Sequence, residues 1–393
     1  MLLPERWHHL PPEPVPTALP MTLAESGIRT LLVMHNPLPA YLPAYVGFMN
    51  AAQDIANEQG ISLVSVPTLS DSEASIAALR QAYTASKSTT ETTGILAIGG
   101  DGTYNTALRG ARKLGGLATL LVAGGHKCDL AHITNNDETL RHPELLLHSP
   151  IVKRPIYPLF VTIHPAESTT AAQQNTIEFE AYQSYSEGLS AKVIETVQDH
   201  SHRNHRMTRL IGRDNWDKLV TLRLSMPDRL RAIRSHTHHS GSEWHPSVEF
   251  LIANSGRMAG VMRPAVEFDQ PYARVLQSRG TLGVFATSFA LMRGLPIGRL
   301  MPKEITRQVH TPNGLRGQRD GEPFFINEQD LIISIRQAYE AEAKTLPNVV
   351  TLADYKPAGS RTHYHPKLRP EQNRLVRRAK RGDPIETSAI LAA

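Results

Sequence analysis

The chain of 393 residues is 40% apolar and 20% charged, with a formal net charge of +5 and 18 histidines besides. Such a composition suits a folded protein large enough for two domains, and no apolar run is long enough to span a bilayer. The single cysteine, Cys128, excludes an internal disulfide and points to a reducing compartment. The opening residues lack the order of a secretory signal, basic then apolar, so a cytoplasmic setting is expected.

Residues 1–27 are rich in proline and read as a loosely held extension. From Ile28 a regular alternation begins. RTLLVM is a short apolar run, as expected of a strand buried on both faces, and it stops at His35-Asn36-Pro37. Tyr45, Phe48, Met49, Ala52 and Ile55 then recur at helical spacing, with Gly60 to end the helix. ISLVSV is a second strand, and Ser70 with Glu73 has the spacing of a capping box for the next helix. GILAI is a third strand, Tyr104, Ala107, Leu108 and Ala111 mark its helix, and LATLLV is a fourth strand. Strands alternating with helices predict a parallel sheet with right-handed crossovers over residues 28–150.

Residues 151–350 read differently. IYPLFVTIH, NTIEFEAYQSY, SVEFLIANS, EITRQVHT, EPFFIN and DLIISIRQ are short strand-like runs broken by Gly, Pro and Asn, with few helices between them. Asn313-Gly314 and Asp320-Gly321 are strong hairpin signals, and the pattern predicts a mainly antiparallel β-sandwich or barrel. Two histidine-rich stretches lie inside it, holding His200, His202 and His205, then His236, His238 and His239. Their spacing matches no zinc template, and exposed helix or loop faces are the expected setting. Residues 351–393 form a basic, proline-interrupted tail, read as largely disordered with a short helix near 373–380. It could be solvated, or meet a membrane surface or nucleic acid.

The chemistry concentrates at Gly99-Gly100-Asp101-Gly102-Thr103, where the third strand runs into its helix. Glycines there bare backbone N–H groups at the positive end of a helix, a setting that suits phosphate or simply makes a tight turn. No Walker lysine follows and Asn105 stands where a Gly-x-Gly-x-x-Gly fingerprint ends, which disfavours both of those nucleotide folds. Asn36-Pro37 and Gly124-Gly125 fall at the ends of two other strands, the region where ligands bind in open parallel sheets. A carboxylate among phosphate-binding glycines has three uses: capping neighbouring amides, holding a divalent ion, or facing an attacking hydroxyl.

The motif IGGDGTYN resembles the Gly-Gly-Asp-Gly-Thr signature of the diacylglycerol kinase catalytic domain and its sphingosine kinase relatives, which NAD kinases share. LLVMHNP, YSEGLSAKV, ANSGRMAGVMRPAVEFD and GQRDGEPFFI are similar to further segments of that family, in the same order, over roughly residues 28–350. The resemblance implies an α/β domain and a β-sandwich domain serving ATP and Mg²⁺, and transfer of the γ-phosphate to a lipid hydroxyl. Nucleic acid is not an expected partner, and the basic tail could bring the protein to an anionic membrane surface. By the same resemblance, Asn36, Thr68, Gly99, Gly100, Asp101, Gly102, Thr103 and Gly125 would line the nucleotide site. Asp320 would be the general base, with Glu322 beside it near the nucleotide or metal, and Asp269 would remain of a structural metal site. Gly125-His126-Lys127-Cys128-Asp129-Leu130-Ala131 departs from the family's Gly-Thr-x-Asn-Asp-x-Ala, and Thr106 replaces a usual glutamate. A catalytically impaired binding protein and an NAD kinase-like enzyme are the competing expectations.

Overall fold

The computed structural model describes residues 21–36, 42–69, 71–125, 128–134, 139–166, 176–199, 210, 212–239, 243–254, 273–292, 298–338, 345–352 and 370–380. Two compact units emerge. One holds the described residues from 21 to 156 together with 345–352 and 370–380, the other those from 157 to 338.

The first unit is built on a six-stranded sheet. Strands β1 (Thr30–His35), β2 (Ser62–Val66), β3 (Thr93–Gly99) and β4 (Ala118–Ala123) pair in parallel in the order β2-β1-β3-β4. They alternate with α1 (Leu42–Glu58), α2 (Ser72–Ser86) and α3 (Asp101–Lys113). Every residue of β3 is buried, as a central parallel strand with both faces covered requires. Two short helices follow β4, α4 (Asp129–Ile133) and α5 (Pro143–His148), and then β5 (Ile151–Pro155). Helix α2 is capped by Asp71, whose carboxylate accepts from the Glu73 and Ala74 amides, so the cap lies one residue beyond the expected Ser70.

The sheet is completed from far along the chain. β18 (Asn348–Leu352) lies between β4, to which it is parallel, and β5, to which it is antiparallel. Residue 150, expected as the domain boundary, therefore precedes a strand of this first sheet. The final helix, α10 (Pro370–Lys380), packs on the same unit: Val376 is buried in the core with Val46 and Phe48, and Asn50 Nδ2 donates to Gln372 Oε1 at 3.3 Å. Part of the supposedly disordered tail is thus an element of the α/β unit, anchored by the apolar residues Leu375 and Val376 among its charges.

The second unit is a β-sandwich. One sheet has the order β10-β9-β14-β17-β6-β7 and the other β13-β12-β11-β8-β15-β16, with all pairings antiparallel. The strands are β6 (Leu159–Pro165), β7 (Ile177–Ala181), β8 (Ser184–Gly188), β9 (Ser235–His239), β10 (His245–Ser247), β11 (Glu249–Ala253), β12 (Arg274–Ser278), β13 (Arg299–Leu300), β14 (Glu304–His310), β15 (Leu315–Arg319), β16 (Glu322–Ile326) and β17 (Asp330–Gln337). Alternate residues of the facing strands fill one core, among them Val161, Ile163, Ile333 and Ile335 from one sheet and Tyr185, Phe250 and Ile252 from the other.

Among the described residues four helices belong to this half, where few were expected: α6 (Leu189–Gln198), α7 (Arg213–Leu224), α8 (Pro227–Ala232) and α9 (Thr281–Met292). Leu189, Leu230, Val248 and Val284 make a second, smaller core with them, so the sheet holding β8 and β11 is covered on its outer face. Asn313-Gly314 is a turn, with Gly314 at φ +76°, but it carries the chain from one sheet to the other rather than closing a hairpin. Asp320-Gly321 does close a two-residue hairpin: β15 and β16 pair from Arg319 opposite Glu322, and both loop residues have positive φ, +50° and +84°.

Candidate functional site

In the α/β unit, sequence-predicted residues come together at one edge of the sheet. β1 ends at His35, β2 at Val66, β3 at Gly99 and β4 at Ala123. Asn36, Thr68, Gly99–Thr103 and Gly125 all follow these carboxyl ends. β1 and β3 are neighbours, while the chain leaves β1 toward β2 and β3 toward β4, in opposite directions across the sheet. That divergence opens the crevice in which parallel sheets take ligands.

The loop between β3 and α3 is held by close backbone contact. A Cβ on Gly99 would sit 2.5 Å from Thr103 Oγ1, and one on Gly125 would sit 2.6 Å from the Gly100 Cα. The Gly124 amide donates to the Gly99 carbonyl at 2.8 Å, locking the loops after β3 and β4 together. Glycine is demanded here by proximity rather than by left-handed backbone. Helix α3 begins with Gly100 as its N-cap and has no side-chain cap, unlike α2. Its first backbone bond is from the Tyr104 amide to the Gly100 carbonyl. The Gly102 and Thr103 amides therefore have no acceptor among the described residues, and they point along the positive end of the helix.

The departures from the family pattern acquire structural roles. Cys128 has φ +46° and its Sγ sits between the two loops, accepting from the Gly125 amide at 3.2 Å and donating to the Gly99 carbonyl at 3.3 Å. Burial, reinforced by the charge of Asp101, pushes its pKa up to about 11, so it remains a thiol and keeps the proton it donates. Thr106 donates to the Gly102 carbonyl at 3.1 Å and shares a hydrogen bond with Ser72 Oγ at 3.0 Å, tying α3 to α2. Arg109 adds to the same junction through Ser72 and Glu73.

Thr68 and Asn36 stand at the neighbouring strand ends. Thr68 Oγ1 accepts from the His35 amide at 3.1 Å, and the Asn36 amide donates to the Ile98 carbonyl at 2.8 Å. His35 carries no signal of its own in the sequence. Its ring lies 5.5 Å from that of Tyr45, its Nδ1 is buried with no partner among the described residues, and burial lowers its pKa, favouring neutral imidazole beside the crevice.

Asp320 and Glu322 lie in the sandwich unit. The Asp320 side chain is buried and accepts three backbone N–H bonds, from Tyr182 at 2.8 Å, Gln183 at 2.6 Å and Ser184 at 3.0 Å. Burial nevertheless pushes its pKa up to about 7, against the pull of those amides. The same corner is held from its carbonyl side by Asn254, whose Nδ2 donates to the Tyr182 and Tyr157 carbonyls while Gln337 Nε2 donates to its Oδ1. Asn254 belongs to the Ala-Asn-Ser-Gly run noted in the sequence, but its part in this clamp was not legible there. Glu322 is half exposed and pairs with Arg319 at 3.4 Å.

No group of three potential metal ligands assembles among the described residues. His236 and His238 are on strand β9, not on a helix or loop, and they face His310 and Trp244. Asp269, His126, Lys127, His200, His202 and His205 lie outside the described residues.

No family model matches the sequence, and no curated protein matches it. Solved structures do. A diacylglycerol kinase from Bacillus anthracis str. Sterne superposes with a TM-score of 0.50 at 14% identity, over 84% of this chain and 97% of its own. A second structure from that organism, described as a candidate diacylglycerol kinase, gives 0.50 at 15% identity, over 85% and 99%. This chain has the diacylglycerol kinase fold. A yeast NADH kinase complexed with NADH reaches only 0.43, at 12% identity, over 83% of this chain and 84% of its own. The two Bacillus structures match over more than four fifths of this chain, which takes in both the parallel sheet and the antiparallel sandwich.

Proposed function

We propose that this protein is an ATP-dependent lipid kinase, transferring the γ-phosphate of ATP to a lipid hydroxyl. The observation that carries the reading is the assembly of Asn36, Thr68, Gly99–Thr103 and Gly125 at one strand-end crevice, around a helix whose N-terminus has no side-chain cap. Phosphoryl transfer requires little covalent assistance; positioning and charge neutralisation do most of the work. The Gly102 and Thr103 amides would hold phosphate oxygens, and the locked Gly99–Gly100–Gly125 contact would fix their direction.

The donor set suits Mg²⁺ in the form typical of nucleotide sites, one carboxylate together with phosphates and water. Asp101 would hold the ion, which supplies neutralisation of phosphate charge when bound. Asp320 is the proposed proton acceptor for the lipid hydroxyl, with a pKa near the operating pH. Its remaining lone pairs must do this while three amides keep the carboxyl fixed, and Glu322 beside it is the more open of the two carboxylates.

The test is labelled ATP with Mg²⁺ against diacylglycerol, a sphingoid base, ceramide and a polyprenol, with NAD assayed alongside. Label in a lipid product is expected, and Asp101→Asn should lower kcat by about a hundredfold or more without changing the melting temperature. Label in NAD alone would move the protein to dinucleotide phosphorylation. ATP that neither raises thermal stability nor labels any acceptor would end the kinase reading.

A further inference from the structure

Helix α9 (Thr281–Met292) has no charged residue in its twelve positions. Its inner side is Val284, buried with Leu189, Leu230 and Val248. At about 100° per residue, Leu282, Phe285, Ala286 and Phe289 form one stripe on the opposite side, and there Leu282 is 87%, Phe285 39% and Phe289 57% exposed. A solvent-facing helix normally turns charged residues outward. This one turns out a leucine and two phenylalanines.

Along the chain, the charge flanking this helix has a single sign. From Arg274 to Lys303 the chain carries Arg274, Arg279, Arg293, Arg299 and Lys303 and no acidic residue. Arg279, one turn ahead of the stripe, is exposed, as are Arg299 and Lys303. Large apolar side chains flanked by cations make up the pattern of a helix that lies in a membrane interface. Among the described residues no helix is long and apolar enough to cross a membrane.

We propose that the outer face of α9 docks on an anionic phospholipid bilayer, with Leu282, Phe285 and Phe289 inserted among the headgroups and the flanking arginines paired with lipid phosphates. A second copy of this chain fits less well. Three side chains fall short of the roughly 800 Å² per partner that a stable pair buries, and two-fold pairing would set like charges against each other. The proposal is independent of the kinase reading, since it needs neither nucleotide nor turnover.

The experiment uses the full chain without nucleotide and sediments it with vesicles of phosphatidylcholine alone or of phosphatidylcholine with one quarter phosphatidylglycerol. Binding is expected only to the anionic vesicles and should weaken steeply with salt. Leu282→Ser with Phe285→Ser should weaken it on the order of tenfold, and Arg279→Ala about fivefold. Melting temperatures should stay unchanged, because these side chains are exposed. Equal binding by the double variant, equal binding to neutral vesicles, or no binding by the unmodified chain would each overturn the proposal. So would a concentration-dependent dimer, or a complex with an acidic protein, that the double variant abolishes while vesicle binding persists.

Discussion

Asp320 has its carboxylate already engaged by three backbone N–H groups and its backbone in a left-handed turn. From sequence alone, Asp320→Asn would seem a clean test of a general base. The structure makes it a structural lesion as well, because an amide presents two donors toward a corner that offers only donors. We expect it to cost about 1–3 kcal/mol, readable as a lower urea midpoint, so any kinetic loss must be compared at equal folded fraction. Glu249 offers a different measurement. It is buried beside Glu187 and accepts from the Ser190 amide, and burial pushes its pKa up to about 8 from the ordinary 4.5. Between those values the folded protein keeps a proton that the unfolded chain releases. Stability fully present below pH 4.5 should therefore fall as pH rises through about 8. Glu249→Gln should flatten that slope in melts taken across the range.

Elements with a repeating pattern were readable before any coordinates. β1, β3 and β4 are continuous apolar runs, and α1 and α3 carry their apolar residues at helical spacing; two-sided burial leaves such runs little alternative. The place of Asn36, Gly99 and Asp101 at strand ends was equally readable, because each follows an apolar run. What an element meets across space was not readable. Nothing in Asn348–Leu352 says that it pairs with Ala118–Leu120, 230 residues earlier in the chain, and nothing in the Asn313-Gly314 signal separates a hairpin from a passage between sheets. Thr68 and Cys128 acquire roles only from backbone groups of other strands. Helix α10 is a case of composition outweighing pattern: its arginines hid the buried Val376. Removing residues 370–393 should uncover part of the core around Phe48 and cost about 2–4 kcal/mol, seen as a drop in melting temperature.

At the scale of the whole molecule, the polar interior of the sandwich stands out. Arg307 of β14 is buried against Glu187 of β8, bridging the two sheets, with Tyr185 donating to the same carboxylate oxygen and Phe250 stacked 3.6 Å from the guanidinium. Such a pair adds little net stability, yet breaking it is expensive. Arg307→Ala should cost about 3–5 kcal/mol, whereas Arg307→Met with Glu187→Leu should recover most of that loss in a chemical denaturation series.

β18, between β4 and β5, has a consequence for synthesis. A ribosome that has finished residues 21–156 has released a sheet with a gap in its interior, and the missing strand is nearly 200 residues away. The sandwich, contiguous in sequence, can close as soon as it emerges. Meanwhile the nascent α/β portion holds open strand edges on β4 and β5, the surfaces most prone to wrong pairing. Cells making this protein should thus depend on chaperone capacity during that interval, and a released chain truncated after residue 340 should hold a folded sandwich tethered to a protease-sensitive amino-terminal half.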